Sequence, residues 1–226
     1  MAKSATASAV PDRNGYNGRP PLSARGERTR SALVKAAREV FERDGFLDAR
    51  ITDITAQAGI ATGSFYTYFD RKEEAFAAVM EQLEEEMLHP PVAPVSNRDN
   101  PAAVIEAANR AYLAAYRRNA KLMGLMEQVA QIDPDFRRLR MHRTRAFVER
   151  NTKALRHLQE RGLADPDLDP ELAAIALSGM VSRTAYSRYV LGFGNASIDA
   201  LSATLTRLWL GALGIDSQPN PEEETN

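Results

Sequence analysis

Apolar residues recur three and four positions apart along most of the chain, and no stretch alternates apolar with polar residues over the length of a strand. The first apolar stripe runs from Leu33 to Phe41, carries charged residues on its other side and stops at Gly45. This spacing is typical of amphipathic helices, so the pattern predicts an all-α fold. Residues that favour helix starts precede three further apolar stripes, at Asp133-Pro134, Asp169-Pro170 and Ser197.

The segment 51–69, ITDITAQAGIATGSFYTYF, predicts two short helices joined by a tight turn. Gly59 can adopt the left-handed conformation that ends a helix, and Phe65 and Phe69 give the second helix, of roughly two turns, one buried side. The other positions of that helix carry many hydroxyl and aromatic groups, which suit a DNA groove better than a protein core. They are Thr62, Gly63, Ser64, Tyr66, Thr67 and Tyr68.

The run AGIATGSFYTYF, followed by Lys72 and Glu73, resembles the recognition-helix signature of the TetR family of bacterial transcriptional regulators. The resemblance is specific over about residues 28–87 and implies a helix-turn-helix that binds double-stranded DNA. It also implies a homodimer and a helical C-terminal domain that binds an effector. By resemblance, the positions that approach the bases are Thr62, Gly63, Ser64 and Thr67, and those that bind phosphates are Tyr66, Tyr68 and Lys72.

Three residues depart from the family pattern around the helix-turn-helix. Arg50 stands where a capping Ser or Thr is usual, and it offers a charged phosphate contact instead. Thr55 replaces a usual Ala where the two helices cross. Ala61 replaces a capping Ser, so Thr62 is the alternative cap. Together with Thr52, Arg50 completes the predicted DNA-binding set.

The length, net charge and cysteine count of the chain change this picture little. The chain has 226 residues, a formal net charge of −1 and no cysteine. The overall charge therefore gives no sign of nucleic-acid binding, although the N-terminal arm has a basic excess. The absence of cysteine excludes disulfides and thiolate metal sites and fits a reducing cytoplasm. The longest apolar run, residues 171–183, is shorter than the roughly 20 residues that span a bilayer, so no membrane partner is expected.

A proline-rich stretch predicts a linker between a three-helix DNA-binding domain and a larger helical domain. The first helix is expected over Glu27–Asp44, and Asp70 with Glu73 has the spacing of a capping box. The predicted parts are a disordered basic arm (1–24), the helix-turn-helix domain (25–70), a connecting helix (71–89), the linker (90–100), the effector-binding and dimerisation domain (101–214) and a disordered acidic tail (215–226).

Large apolar side chains with a few hydroxyl groups in the central helices suit a pocket for a small, largely apolar effector, although such residues also form ordinary cores. A cluster of arginines lies at the start of one long helix. It has two alternative interpretations, a solvated helix face or a binding site for an anionic, acyl-type effector. The pocket candidates are Tyr112, Tyr116, Met123, Met126, Phe136, Phe147 and Tyr186. The arginines are Arg137, Arg138, Arg140, Arg143 and Arg145.

The last helix carries an apolar stripe that predicts a dimer interface, and the alternative is that it closes the core of one chain. The family dimerises through its last two long helices, and small residues at 173–179 would allow close approach. The candidates are Ile198, Leu201, Leu205, Leu208 and Trp209.

The sequence contains no constellation typical of catalysis. The three histidines are far apart, and no nucleophile has a neighbouring base, so we expect no metal, no cofactor and no enzymatic activity. A repressor released from a palindromic operator by its effector is the favoured interpretation. The alternative is a helical lipid or acyl carrier, or an enzyme, whose N-terminal helices do not bind DNA.

Overall fold

The computed structural model describes residues 23–95, 97 and 99–215. Within those residues every regular element is an α-helix, as the apolar spacing predicts. The predicted arm and tail lie outside the described residues apart from Ser23, Ala24 and Ile215. The helices are α1 (Ala24–Asp48), α2 (Ile51–Ala58), α3 (Thr62–Phe65), α4 (Lys72–Leu88), α5 (Pro101–Arg118), α6 (Ala120–Ile132), α7 (Pro134–Glu160), α8 (Pro170–Tyr189) and α9 (Ile198–Ala212).

Side-chain caps set several helix starts. Asp169 accepts hydrogen bonds from the first turn of α8, and Ser197 does the same for α9, so both predicted starts are confirmed. The first helix begins earlier than expected, because the Ser23 hydroxyl accepts a hydrogen bond from the Gly26 amide. Gly45 interrupts α1 with φ 81°, a conformation that favours glycine.

The described chain forms two compact units. The first contains residues up to Gln82 together with Val129–Arg138, and the second contains Leu83–Gln128 and the described residues from Leu139 onward. The division falls inside α4, α6 and α7, so each of these helices contributes residues to both units. The domain limits drawn from the sequence stay a prediction.

An aromatic cluster forms the core of the first unit. Phe41, Phe46 and Phe76 pack with ring centroids 4.8–5.9 Å apart. Phe136, at the start of α7, joins them at 5.1 Å from Phe76 and 6.0 Å from Phe46. Its ring therefore contributes to the aromatic core of the first unit, and its assignment to the effector pocket stays a prediction.

In the second unit α5 packs against α8 and α9. Leu113, Tyr116 and Leu122 are fully or almost fully buried there. One buried polar pair joins two of these helices, because the Asn109 side chain donates to the Thr206 hydroxyl at 3.2 Å.

Candidate functional site

The turn between α2 and α3 has the conformation that its glycine predicts. Gly59 has φ 66° and ψ 32°, and its amide donates to the Ala56 carbonyl at 3.1 Å. The Ile60 amide donates to the Thr55 carbonyl at 3.0 Å, which closes the end of α2. The chain can therefore reverse within a few residues and place α3 across α2.

The second helix of the motif is shorter than the sequence suggested. The helix α3 spans only Thr62–Phe65, one turn rather than the expected two. The amides of Tyr68 and Phe69 both donate to the Phe65 carbonyl, at 2.9 and 3.0 Å, so the chain continues as turns instead. Phe65 and Phe69 are buried as predicted, with 0% and 2% of their surface exposed.

A hydroxyl pair joins the two helices of the motif. The Thr55 hydroxyl lies 3.1 Å from both the Thr52 carbonyl and the Thr62 hydroxyl. Thr55 is 1% exposed, so this pairing satisfies a polar group that would otherwise be costly to bury. Ala61, not Thr62, occupies the cap position of α3, and Thr62 begins the helix.

The predicted base-approaching and phosphate-binding residues form an open surface over the two buried phenylalanines. Tyr66 is 54% exposed although it is a large aromatic residue. A Cβ added at Gly63 would meet no atom within 4 Å, which leaves room for another molecule to approach the backbone. The remaining exposed members are Arg50, Thr52, Thr62 and Thr67, and the half-buried ones are Ser64, Tyr68 and Lys72.

Lys72 has a structural role that the sequence did not indicate. Its ammonium donates to the carbonyls of Phe46, Leu47 and Ala49 at 2.7, 2.9 and 3.0 Å. It also lies 5.0 Å from the centroid of the Phe46 ring. These carbonyls belong to the end of α1 and the residue after it, so Lys72 fixes the segment that leads into α2. Its contact with a DNA phosphate stays a prediction.

The sequence model described as bacterial regulatory proteins, tetR family, matches residues 33–79, which run from α1 into α4 and include the whole helix-turn-helix. The helix-turn-helix of this chain is of the TetR type. The protein is a helix-turn-helix transcriptional regulator.

Two relatives illustrate how the similarity is distributed along this chain. It is 24% identical over 164 residues to the HTH-type transcriptional regulator TtgR of Pseudomonas putida, which covers 69% of this chain and 77% of that protein. It is 39% identical to the uncharacterised regulator YdgC of Bacillus subtilis, over only 59 residues, 26% of this chain and 30% of that protein. The stronger identity is therefore confined to a short stretch.

Solved structures share the whole helical fold. The TetR-like transcriptional regulator from Rhodococcus sp. RHA1 has a TM-score of 0.59 at 26% identity and covers 86% of this chain and 100% of that one. The complex of SmeT with triclosan has a TM-score of 0.65 at 19% identity and covers 86% of this chain and 99% of that one.

In the second unit, several predicted effector residues lie together. The Tyr112 ring lies 5.9 Å from that of Tyr116 and 5.6 Å from that of Phe147. Burial raises the pKa of Tyr112 to about 12 and raises that of Tyr116 as well, so both phenols stay protonated donors at neutral pH. Tyr186 is close enough to Tyr116 to influence its pKa. Met123 and Met126 are each 1% exposed.

One aromatic residue of this region, Tyr189, was not among the predicted pocket residues. The ring of Tyr189 lies 6.5 Å from that of Tyr116, and its buried hydroxyl has no hydrogen-bond partner among the described residues. Tyr189 follows the predicted Tyr186 by three positions in α8, so helical spacing could have found it.

The predicted dimer residues separate into two groups. Leu205 and Trp209 are 3% and 8% exposed and pack inside their own chain, and their assignment to an interface stays a prediction. Leu208 is 51% exposed, and Leu172 and Ile175 on α8 are 67% and 49% exposed. Ile198 and Leu201 are half-buried. Apolar surface is thus available on both of the last two helices.

Two kinds of feature are absent from the described residues. None of their helices is long and apolar enough to cross a membrane. Within the same part of the chain, no three His, Asp or Glu side chains come together as metal ligands.

Proposed function

We propose that the protein is a repressor that binds a palindromic operator as a homodimer in the cytoplasm and leaves it when a small effector occupies the second unit. The observation that carries the proposal is the open surface around α3. Hydroxyl and tyrosine side chains lie outside, while Phe65 and Phe69 hold the segment to the core. A single-turn helix with this surface gains little from burial and is well suited to contact DNA.

The DNA contacts fall into two kinds. Tyr66, Tyr68 and the exposed Arg50 bind phosphates and fix the position of α3 on the duplex. Ser64 and Thr67 reach base edges, where a hydroxyl can donate or accept. Because hydroxyl groups discriminate bases less strongly than bidentate side chains, DNA shape supplies part of the specificity.

A dimer is needed because one helix-turn-helix reads too few base pairs to be selective. Leu172, Ile175 and Leu208 supply the apolar centre of the interface, and Ala176 and Gly179 let the partner helices approach. When a second copy covers these exposed leucine and isoleucine side chains, their apolar surface is removed from water, which favours association.

The effector binds among the helices of the second unit, near Tyr112, Tyr116 and Phe147. It releases DNA if it prefers the dimer geometry in which the two reading surfaces no longer match successive grooves. Triclosan bound to the similar SmeT supports a ligand site in a protein of this fold.

Mobility shift with the DNA upstream of the protein's own gene tests the first step. We expect a specific complex that weakens steeply between 50 and 200 mM salt, in the manner of about 6–10 phosphate contacts. Ser64→Ala should relax sequence preference, whereas Tyr66→Ala should weaken all duplexes alike. A chain that binds no duplex, or binds with no dependence on salt, would favour the carrier or enzyme alternative.

A further inference from the structure

Arg143 differs from the other arginines of α7. Arg137 and Arg138 are exposed, and both have partners: Arg137 donates to the Ala130 and Gln131 carbonyls at the end of α6, and Arg138 pairs with Asp135. Arg140 is half-buried and donates from Nε to Glu127 at 2.8 Å. Arg145 is exposed. These four fit the solvated face expected of an arginine-rich helix, but Arg143 is only 9% exposed.

The buried guanidinium of Arg143 lacks the partner that its charge requires. Its Nη1 donates to the sulfur of Met123 at 3.2 Å, and a thioether is a weak acceptor. No carboxylate among the described residues forms an ion pair with it, and no described carbonyl accepts a hydrogen bond from it. Arginine keeps its charge in proteins, so a guanidinium on a residue only 9% exposed has a thioether as its one hydrogen-bond acceptor among the described residues.

The surroundings of Arg143 select the chemistry of a ligand. Tyr112 and Tyr116 lie within electrostatic reach of the guanidinium, and Phe147 packs edge-on against Tyr112 at 5.6 Å. The Glu127 carboxylate also acts on both phenols, but Arg140 already binds it. A cation and two phenols therefore lie close to one another, beside aromatic rings and a methionine.

We propose that Arg143 is the anion-recognition residue of the effector site and that the effector is an apolar organic acid. Its carboxylate pairs with the guanidinium and accepts from the neighbouring phenols, while its apolar body contacts Phe147, Met123 and Met126. This inference rests on the proposed function, because it names the class of molecule that the second unit binds. The bond is charge-assisted and forms away from bulk water, so it contributes much of the affinity and selects against neutral isosteres.

Isothermal titration calorimetry with matched pairs of an acid and its amide tests this proposal. The titrations use the full chain without DNA. The probes are octanoate and octanamide, 4-phenylbutanoate and 4-phenylbutanamide, and 2-naphthoate and 2-naphthamide. We expect at least one acid to bind, and its amide to bind at least ten-fold more weakly. Equal binding within the pairs, or no binding by any acid at millimolar concentration, would overturn the proposal.

Variants locate the acid-binding group. Arg143→Gln should weaken the acid at least ten-fold and leave the amide unchanged, and Arg143→Lys should retain part of the acid affinity. Arg145→Gln, which removes an exposed arginine of the same helix, is the matched control and should behave as the unaltered protein. Unchanged acid binding in a folded Arg143→Gln would overturn the proposal. If that variant does not fold, Arg143→Lys and the acid-amide comparison in the unaltered protein decide.

A second measurement separates this proposal from the proposed function. Operator affinity is followed by fluorescence anisotropy with and without the acid that binds. An acid that binds through Arg143 but leaves operator affinity unchanged would refute ligand-controlled release and keep the acid site. Release caused equally by acid and amide would keep the regulatory function and overturn the role of Arg143.

Discussion

Replacing Lys72 by Met removes an internal cap while preserving most of the side-chain length. The change deletes three hydrogen bonds of 2.7, 2.9 and 3.0 Å to the carbonyls of Phe46, Leu47 and Ala49. Hydrogen bonds to a charged group contribute about 1.5–3 kcal/mol each when well buried. One of the three is exposed and all share one half-buried ammonium, so their sum is well below three independent bonds. We expect a loss of about 2–3 kcal/mol in the local stability of this segment.

Hydrogen exchange of the full chain measures this loss where it occurs. Amides of α2 that depend on the end of α1 should exchange about 30–150-fold faster in Lys72→Met, the equivalent of that free energy. Lys35→Met changes the same charge at an exposed position of α1 and is the control. Operator affinity should fall as well, because α2 and α3 lose their fixed orientation. If Lys72→Met exchanges like Lys35→Met, the three carbonyl contacts do not stabilise the motif.

Four further changes have defined outcomes. Gly59→Ala forces a Cβ into a left-handed residue and should cost about 1–2 kcal/mol in thermal unfolding. Thr55→Val leaves the Thr62 hydroxyl without its partner and should cost about 1 kcal/mol in urea unfolding. Leu208→Glu should give monomers in sedimentation while the helical circular dichroism stays unchanged. The pKa of Tyr112 is raised to about 12, so the phenol ionises first in the unfolded chain. Its contribution to the free energy of unfolding should be fully present below pH 10 and fall as the pH rises towards about 12. Tyrosinate absorbance at 295 nm checks this prediction.

Local patterns in the sequence predicted much of the fold. Spacing of apolar residues identified the helices, and residues such as Gly59 and Ser197 marked their ends, because both signals depend on neighbours within one or two turns. The predicted length of α3 was too great because it also depended only on the spacing of neighbouring apolar residues. Phe65 and Phe69 have helical spacing, but a helix is not required to bury both rings. The hydrogen-bonded turns after α3, in which the Phe65 carbonyl accepts from the amides of residues 68 and 69, also place both rings in the core.

Features that depend on distant partners could not be predicted. Lys72 binds carbonyls 23–26 residues earlier, and no short pattern connects these positions. Phe136 resembles its neighbours in hydropathy but belongs to the aromatic core of the first unit. Arg143 was one of five crowded arginines, and only burial of its side chain distinguishes it from the solvated ones.

Selection of bound duplexes from a random-sequence DNA library tests the central claim, that the open surface of α3 reads DNA. The unaltered protein should enrich a palindromic sequence and bind it with steep salt dependence. A Cβ at Gly63 would meet no atom within 4 Å, so Gly63→Leu should keep the fold and lose the selected complex, because its side chain occupies the open space beside α3. A folded Gly63→Leu protein that enriches and binds the same palindrome as the unaltered protein would contradict the account.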